Sequence, residues 1–209
     1  MNRTVLVIGI IFLLIGVSFT GLSDSLSMTT SQTYSFEGNI LYVGGSEPGN
    51  YSNIQNAIDN ASDGDTIFVY DDSSPYYENL KVNKSISLVG EDKNTTIIDG
   101  DGNNHVIYVS ANRVNISRFT IRNGKESGIH IPRSNYNTVL GNNISNNGEG
   151  IKFFGSTGNN IISNDFANNW VGIWGRGDKH IIKTNNIISN KQCGLFLFEG
   201  NKNSILNNT

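Results

Sequence analysis

Aliphatic residues recur along the second half of the chain with a fixed period of 22 residues, each time directly after a glycine. Between these positions the sequence is rich in Asn, Ser and Gly, and it lacks the apolar stripe of a helix. A fixed period indicates a solenoid, and about 22 residues suffice for one coil of a parallel β-helix with three short strands and three turns. The repeating pairs are Gly128–Ile129, Gly150–Ile151, Gly172–Ile173 and Gly194–Leu195.

Stacking of equivalent positions predicts the interior and the corners of this solenoid. Coils about 4.8 Å apart place the aliphatic residues that follow the four glycines in one buried column. Asn residues at the turns are expected to bond to Asn residues of the coils above and below, and to tolerate left-handed backbone. The glycine before each strand is expected to have a positive φ. Regular coils are predicted over 137–158, 159–179 and 180–202, and a fourth begins at Asn203.

A short helix is predicted before the regular coils. Ser52 and Gln55 have the spacing of a capping box, and Gly64 follows as a terminator. We expect this helix to lie across the N-terminal end of the β-helix and to shield its core and strand edges. Its apolar face consists of Ile54, Ala57, Ile58 and Ala61. Less regular strands are predicted at 66–70, 85–90, 95–100, 105–110 and 113–121.

The N-terminal segment predicts export. Residues 5–19 form an apolar run after Arg3, followed by small and polar residues, which is the arrangement of a secretory signal. The run is shorter than the roughly 20 residues of a membrane-spanning helix. We therefore expect residues 1–23 to be a signal peptide cleaved after Ser23, or a retained anchor. Residues 24–38 are predicted to be a flexible Ser/Thr-rich linker and 39–209 the β-helix domain of a secreted or cell-surface protein.

Composition limits the partners and the covalent chemistry. The chain has 15 Lys and Arg against 18 Asp and Glu, a net charge of −3, which argues against nucleic acid as a partner. Cys193 is the only cysteine, so it is expected to fill a stacked structural position without an internal disulfide. Asn-x-Ser/Thr sequons are acceptor sites for glycans in a suitable host, although such tripeptides also arise by chance in Asn-rich turns. The sequons that follow the N-terminal apolar run begin at Asn50, Asn60, Asn83, Asn94, Asn115, Asn143 and Asn207.

A family resemblance begins at the predicted helix. It is carried by YSNIQNAIDNASDGDTIFVYDDSSPYYENLKVNKSISLVGEDKNTTIIDG from residue 51 and by VNISRFTIRNG from residue 114. These stretches resemble the opening of NosD-like right-handed β-helix proteins of the pectate-lyase-like superfamily, and the later Asn-x-Ile and Gly-Ile repeats are similar too. The resemblance covers about residue 40 to the end and implies an all-β, right-handed parallel β-helix. It implies less about function, because the superfamily holds lyases, hydrolases, epimerases, adhesins, surface proteins and the NosD copper-site accessory factor.

No catalytic residue is predicted. Lyases and hydrolases on this fold cluster acidic side chains on adjacent coils, and the repeat columns show no such pair on one face. Asp165 is expected beside Asn143 and Ile187, and Asp99 with Asp101 is typical of an Asp-Gly turn. A polysaccharide lyase or hydrolase is kept as an alternative function.

No metal or cofactor is predicted either. Copper prefers soft or imidazole ligands, but the histidines do not share a ligand spacing and are expected to be unrelated surface residues. A NosD-type periplasmic copper-site accessory protein therefore stays an alternative on the resemblance alone. The possible soft or imidazole ligands of the chain are Met28, His105, His130, His180 and Cys193.

The residues that alternate outward after each repeating glycine give a candidate carbohydrate-binding surface. Four aromatic side chains interleaved with two cations are unusual at solvent-facing positions of a sheet. Flat rings with polar neighbours are suited to extended sugars; the competing interpretation is that a loop, another domain or a second chain covers this face. The candidate ligand-binding residues are Lys152, Phe154, Trp174, Arg176, Phe196 and Phe198.

The sequence thus predicts an exported β-helix repeat protein that acts at the cell surface as a carbohydrate-interacting or structural module. Its expected partner is a polysaccharide or surface glycan, with membrane contact only through residues 5–19 if these are retained. The fourth coil stops at Thr209 without a covering helix, so we also expect further coils or a partner chain at that end.

Overall fold

Three parallel sheets run the length of a β-solenoid in the computed structural model, which describes residues 38–209. Each strand pairs with the equivalent strand one coil away, and in the regular coils paired residues are 21 to 23 positions apart, as in Asp165 with Asn186, Ser127 with Glu149 and Ile181 with Ser204. The predicted parallel β-helix is therefore confirmed. The interior between the three sheets is filled by one apolar core.

The strands are numbered along the chain. Sheet A contains β1 (Ile40–Val43), β2 (Thr66–Val69), β5 (Ser87–Gly90), β8 (Asn115–Ser117), β11 (Thr138–Leu140), β14 (Asn160–Ile162), β17 (Ile181–Lys183) and β20 (Ser204–Leu206). Sheet B contains β3 (Tyr76–Tyr77), β6 (Ile97–Asp99), β9 (Thr120–Arg122), β12 (Asn143–Ser145), β15 (Asp165–Ala167) and β18 (Asn186–Ile188). Sheet C contains β4 (Leu80–Val82), β7 (Ile107–Val109), β10 (Ser127–Pro132), β13 (Glu149–Thr157), β16 (Val171–Asp178) and β19 (Cys193–Leu197).

The aliphatic column after the repeating glycines forms as predicted. Ile129 pairs with Ile151, Ile151 with Ile173, and Ile173 with Leu195. The three isoleucine side chains are fully buried, and Leu195 packs against them half-buried. Each coil therefore contributes an equivalent residue to a continuous stack, which removes apolar surface from water in every repeat.

Three of the four repeating glycines, Gly128, Gly150 and Gly172, are required by close packing between coils. None of the four has a positive φ, so that prediction was wrong. A Cβ atom on Gly150 would lie 2.5 Å from the carbonyl oxygen of Gly172, and one on Gly172 would lie 2.4 Å from that of Gly194. The backbones of neighbouring coils approach too closely along this column for any side chain.

Ladders of buried Asn residues fix the corners. At the Asn positions other than Asn137, the side-chain oxygen accepts the backbone N–H of the equivalent residue in the preceding coil, and the side-chain amide donates to a carbonyl of that coil. In the ladder that contains His180, Nδ1 of that ring is the acceptor, and the side-chain amide of Asn137 makes no hydrogen bond. The predicted hydrogen bonds between stacked Asn residues are confirmed. Three ladders are present: Asn137, Asn159, His180 and Asn203; Asn142, Asn164, Asn185 and Asn208; and Asn147, Asn169 and Asn190.

The left-handed backbone of these corners belongs to the residue before each ladder position. Asn146 and Asn168 have φ values of 57° and 59°, but Ser163 and Thr184 serve equally well at 55°. The ladder Asn residues themselves do not have positive φ. Asn is therefore selected at the ladder positions for its paired donor and acceptor rather than for its tolerance of left-handed backbone.

One short helix, α1 (Ile54–Asn60), closes the N-terminal end of the described solenoid. Its buried face contacts β1, β2 and β4, in agreement with the predicted capping role. The side chain of Gln55 accepts from the backbone N–H of Lys81, at 2.8 Å, and donates to the carbonyl of the same residue. This side chain thus takes the place of a neighbouring strand at the edge of sheet C, where backbone groups would otherwise be unpaired.

Each end of α1 contacts a side chain whose charge is opposite to the partial charge of the helix dipole at that end. The carboxylate of Glu78 accepts from the N–H groups of Ile54 and Gln55, and the ammonium of Lys84 donates to three carbonyls at the C-terminal end. The N-cap is Asn53 and the helix ends before Ala61. The predicted Ser52 cap and Gly64 terminator were therefore wrong by one and three residues.

The early strands are shorter than predicted. The segment 113–121 contains β8 and the start of β9, separated by Arg118, which has a φ of 66°. Strands β1, β3 and β4 were not predicted at all. No helix within residues 38–209 is long and apolar enough to span a bilayer. The predicted signal or anchor, its cleavage after Ser23 and the linker up to residue 37 lie outside the described residues.

Candidate functional site

Two side-chain columns stand on the outer face of sheet C. The first follows the register of the strands through Tyr108, His130, Lys152, Trp174 and Phe196. The second runs through Pro132, Phe154 and Arg176, and Phe198 continues it directly after β19. The six predicted ligand-binding residues therefore lie together on one surface, which we call the aromatic strip: Lys152, Phe154, Trp174, Arg176, Phe196 and Phe198.

The rings of the aromatic strip contact one another. Trp174 lies 6.3 Å from Phe154 in a nearly parallel arrangement and 4.9 Å, edge to face, from Phe198. The Lys152 ammonium is 5.1 Å from the Trp174 ring centre, within cation–π range. Trp174 is consequently half-buried, whereas Phe154 and Phe196 are exposed. The strip is a self-packed surface with exposed rings at its margins.

The cations of this surface are already paired with carboxylates. Lys152 lies 3.3 Å from Glu149, and Glu149 also accepts a 2.9 Å hydrogen bond from the Ser127 hydroxyl. Arg176 forms an ion pair with Glu199. These pairs place a carboxylate beside each of the two cations that flank the rings.

A groove of about 470 Å³ adjoins the strip where sheet B turns into sheet C. Trp170 forms one wall and is 54% exposed. Gly148 lies between Trp170 and Glu126 in the stack of coils, and a Cβ there would lie 2.1 Å from the Glu126 carbonyl oxygen. Because position 148 has no side chain, the side chains at this position of the coils on either side are separated by about two strand spacings, or roughly 9–10 Å. We call this the Trp170 groove; it is lined by Lys125, Glu126, Gly148, Glu149, Lys152 and Trp170.

This groove was not predicted from the sequence. Trp170 lies in a turn, where the alternation of inward and outward residues does not apply. Aligning the turn positions of successive coils would have placed Trp170 above Gly148 and Glu126. The prediction that no two carboxylates share a face was wrong, since Glu126 and Glu149 line the same groove.

Asp99 and Asp101 lie in the neighbouring turn. The Asp101 N–H donates to Asp99, as expected for an Asp-Gly turn, and Arg122 and Asn123 donate to the same carboxylate. Burial alone would raise the pKa of Asp99, but these hydrogen bonds and the Arg122 charge lower it below its usual value. Asp99 is thus an ionised structural anchor. A shallow depression beside it shares Lys125 with the Trp170 groove.

Two histidines form a cluster below the strip, contrary to the prediction of unrelated surface residues. Nδ1 of His130 lies 2.8 Å from Nε2 of His105, and that nitrogen is 3.2 Å from a carboxylate oxygen of Glu126. The adjacent carboxylate favours the tautomer in which His105 Nε2 carries the hydrogen. Two imidazoles on tetrahedral Zn²⁺, at about 2.0–2.1 Å each, would hold their nitrogens roughly 3.3 Å apart, so the shorter distance is that of a hydrogen bond. His180 is separate and fully buried in an Asn ladder.

Comparison with protein-family models agrees with this architecture. A family model described as a right-handed β-helix region matches residues 67–209. The chain belongs to the right-handed β-helix family. No curated protein matches it. Among solved structures, ORF18 of Geobacillus virus E2 aligns at 15% identity with a TM-score of 0.39, over 74% of this chain and 56% of the viral chain. The aligned part therefore spans little more than half of that viral protein.

Two remaining columns of this right-handed β-helix were predicted with mixed success. Asp165 pairs with Asn143, as predicted, but with Asn186 on the other side and not with Ile187. Its carboxylate also forms a 2.7 Å ion pair with Lys93. Cys193 stacks on Val171, half-buried, in agreement with the predicted structural position.

The histidine cluster predicts acid sensitivity of the β-helix. Burial, together with the smaller effects of the His105 and Lys152 charges, lowers the pKa of His130 from 6.5 to about 4, against an opposing effect of Glu149. The unfolded chain therefore binds a proton near pH 6.5 that the folded chain takes up only near pH 4. The stability present above pH 6.5 is lost as pH falls to 4, by at most about 3 kcal/mol from this residue, because solvent screens part of the effect on a half-buried ring.

Urea unfolding at pH 7 and pH 4.5 measures this loss. The His130→Gln variant should lose less stability than the wild type over the same interval, because Gln does not titrate. Equal losses in the two proteins would contradict the assignment to His130.

Proposed function

We propose that this protein is exported and binds an extended polysaccharide across the outer face of sheet C, with the Trp170 groove as its principal contact. The observation that carries the proposal is an exposed indole beside Lys125, Glu126 and Glu149 in an open groove. The aromatic strip continues this surface over the next coils. Export rests on the apolar run at residues 5–19.

The groove has the chemistry that sugar rings need. A pyranose presents C–H groups on its faces, which pack against an aromatic ring, and hydroxyls on its rim, which both donate and accept hydrogen bonds. Trp170 supplies an aromatic surface with a polar N–H. Carboxylates of Glu126 and Glu149 accept from hydroxyls, and the ammonium groups of Lys125 and Lys152 donate to them. An open groove along stacked coils also leaves room for the chain to continue in both directions.

Removal of the indole tests the proposal. Trp170→Ala is expected to weaken binding to the polysaccharide that the wild type retains by about tenfold or more, since a well-placed aromatic anchor contributes on the order of 1–2 kcal/mol. Affinity gel electrophoresis against a panel of soluble polysaccharides finds the ligand, and titration calorimetry with its oligosaccharides measures the change.

Tyr136→Ala is the matched control. Tyr136 is as exposed as Trp170, at 56%, but lies in the turn that leaves sheet C rather than the one that enters it. Loss of affinity in both variants alike would reject the groove as the site. Failure of the wild type to bind any glycan, together with a dimer on sedimentation that Phe196→Ala dissociates, would assign this face to contact between copies of the chain.

Polysaccharide cleavage is a second candidate, favoured by the two carboxylates Glu126 and Glu149 in one groove. Paired carboxylates serve as general acid and as base or nucleophile in glycoside hydrolysis. The retained polysaccharide should then release new chain ends on incubation, and Glu126→Gln and Glu149→Gln should each abolish the release. Binding without release leaves the protein a binding module.

A further inference from the structure

The charged groups that border the proposed binding surface cancel one another. Three cations and three carboxylates line the Trp170 groove and the aromatic strip: Lys125, Lys152, Arg176, Glu126, Glu149 and Glu199. The chain as a whole has a net charge of −3. No net positive field therefore draws an anionic polymer to this surface.

Ion pairing leaves little free positive charge for a ligand. Lys152 and Arg176 each contact a carboxylate, and Glu149 is held in addition by the Ser127 hydroxyl. Among residues 38–209, Lys125 is the one cation of this surface without an ion-pair partner. A uronate or sulfate group placed here would lie beside Glu126 or Glu149, and the repulsion would oppose its binding.

We infer that the polysaccharide bound by this surface is uncharged; the inference rests on the proposed function. Sugar hydroxyls satisfy an existing ion pair without disrupting it, because each hydroxyl donates to the carboxylate and accepts from the ammonium group. An anionic sugar would instead compete with Glu149 for Lys152. The neutral sugar also retains its packing on Trp170, which does not depend on charge.

Matched polymer pairs test the charge of the ligand directly. Hydroxyethyl cellulose and carboxymethyl cellulose share a backbone, as do methyl-esterified and de-esterified polygalacturonate, and within each pair the members differ chiefly in charge. The wild type should prefer the uncharged member of the pair that it recognises by at least about tenfold. Its affinity for that member should change less than about twofold between 20 and 300 mM salt, since charge screening affects only the ionic contacts.

A single substitution should relax the selectivity. Glu149→Gln removes the carboxylate from Lys152 and gives the groove a net positive charge, so the variant should gain about tenfold in affinity for the anionic member at low salt. Glu47→Gln makes the same change in net charge on an exposed loop near the N-terminal end of the solenoid, and it should gain nothing.

The possible outcomes distinguish a wrong ligand charge from a wrong proposal of polysaccharide binding. Preference of the wild type for the anionic member, weakened by salt and by Trp170→Ala, would overturn the inference and leave polysaccharide binding in place. An unchanged preference in Glu149→Gln would also overturn it. Binding of neither member of any pair would count against the proposed function itself, and the inference would fail with it.

Discussion

Substitution of Ile173 by Asp is expected to unfold the middle of the solenoid. Ile173 is fully buried between Ile151 and Leu195, in a column that contains only aliphatic side chains. A carboxylate at this position has no hydrogen-bond partner and no counter-ion, and burying it costs several kcal/mol, which exceeds about half the stability of a typical domain. Circular dichroism and urea unfolding should show loss of the cooperative transition.

Two control substitutions separate the effect of burying a charge from the effect of changing the side chain. Ile173→Val should cost only about 0.5–1.5 kcal/mol, because it removes one methylene group from the column. Ile188→Asp introduces the same charge on β18, where the side chain is 49% exposed, and should change the free energy of unfolding by less than about 1 kcal/mol. Equal unfolding midpoints for Ile173→Asp and Ile188→Asp would show that the aliphatic column around residue 173 does not exclude water.

The local character of a solenoid adds a second readout. Each coil contacts its neighbours only, so damage at residue 173 should spread less to coils several repeats away. Amide exchange should rise most in β13, β16 and β19 and least in β2 and β5. A uniform rise over the whole domain would indicate a more cooperative structure than nearest-neighbour packing predicts.

The repeat period was sufficient to predict the fold, because stacking forces residues one period apart into the same environment. The rule directly predicted the buried stack of Ile129, Ile151 and Ile173. The reason for the glycines did not follow. A glycine column arises either from a positive φ or from close backbone approach, and the spacing is identical in both cases. The φ angles of these glycines and the distance from Gly150 to the next coil decide between them.

The candidate site was predictable only where it follows strand alternation. Lys152, Trp174 and Phe196 lie in register because they stand on paired strands. Trp170 stands in a turn, whose side-chain directions depend on local φ and ψ rather than on the period. The contact between His105 and His130 was not predicted for a related reason. His105 lies in the turn before β7, and it is 25 residues from His130, whereas paired residues of these strands are 22 residues apart.

Substitution of Asn164 by Ala is expected to destabilise the protein by roughly 3–5 kcal/mol, although no apolar packing is lost. The side chain is almost fully buried in the central ladder, where it accepts from the backbone N–H of Asn142 at 3.0 Å and donates to the Val139 carbonyl at 2.9 Å. It also donates to the side chain of Asn185. Truncation leaves a buried backbone donor and a buried acceptor without partners, each at a cost of about 1–3 kcal/mol, and it interrupts the ladder between two coils.

Asn160→Ala is the matched control, because the same side chain is removed four residues earlier in the same coil. Asn160 is half-buried on sheet A and makes one long hydrogen bond of 3.4 Å, to the Thr138 hydroxyl. Its removal should lower the free energy of unfolding by less than about 1 kcal/mol. Urea titrations of the two variants at neutral pH give the difference. If both variants lose the same free energy of unfolding, the Asn ladders do not contribute specifically to stability, and the apolar columns alone hold the coils in register. A loss confined to Asn164→Ala would show that the corners, which contain no apolar core of their own, stabilise the stack through paired amides.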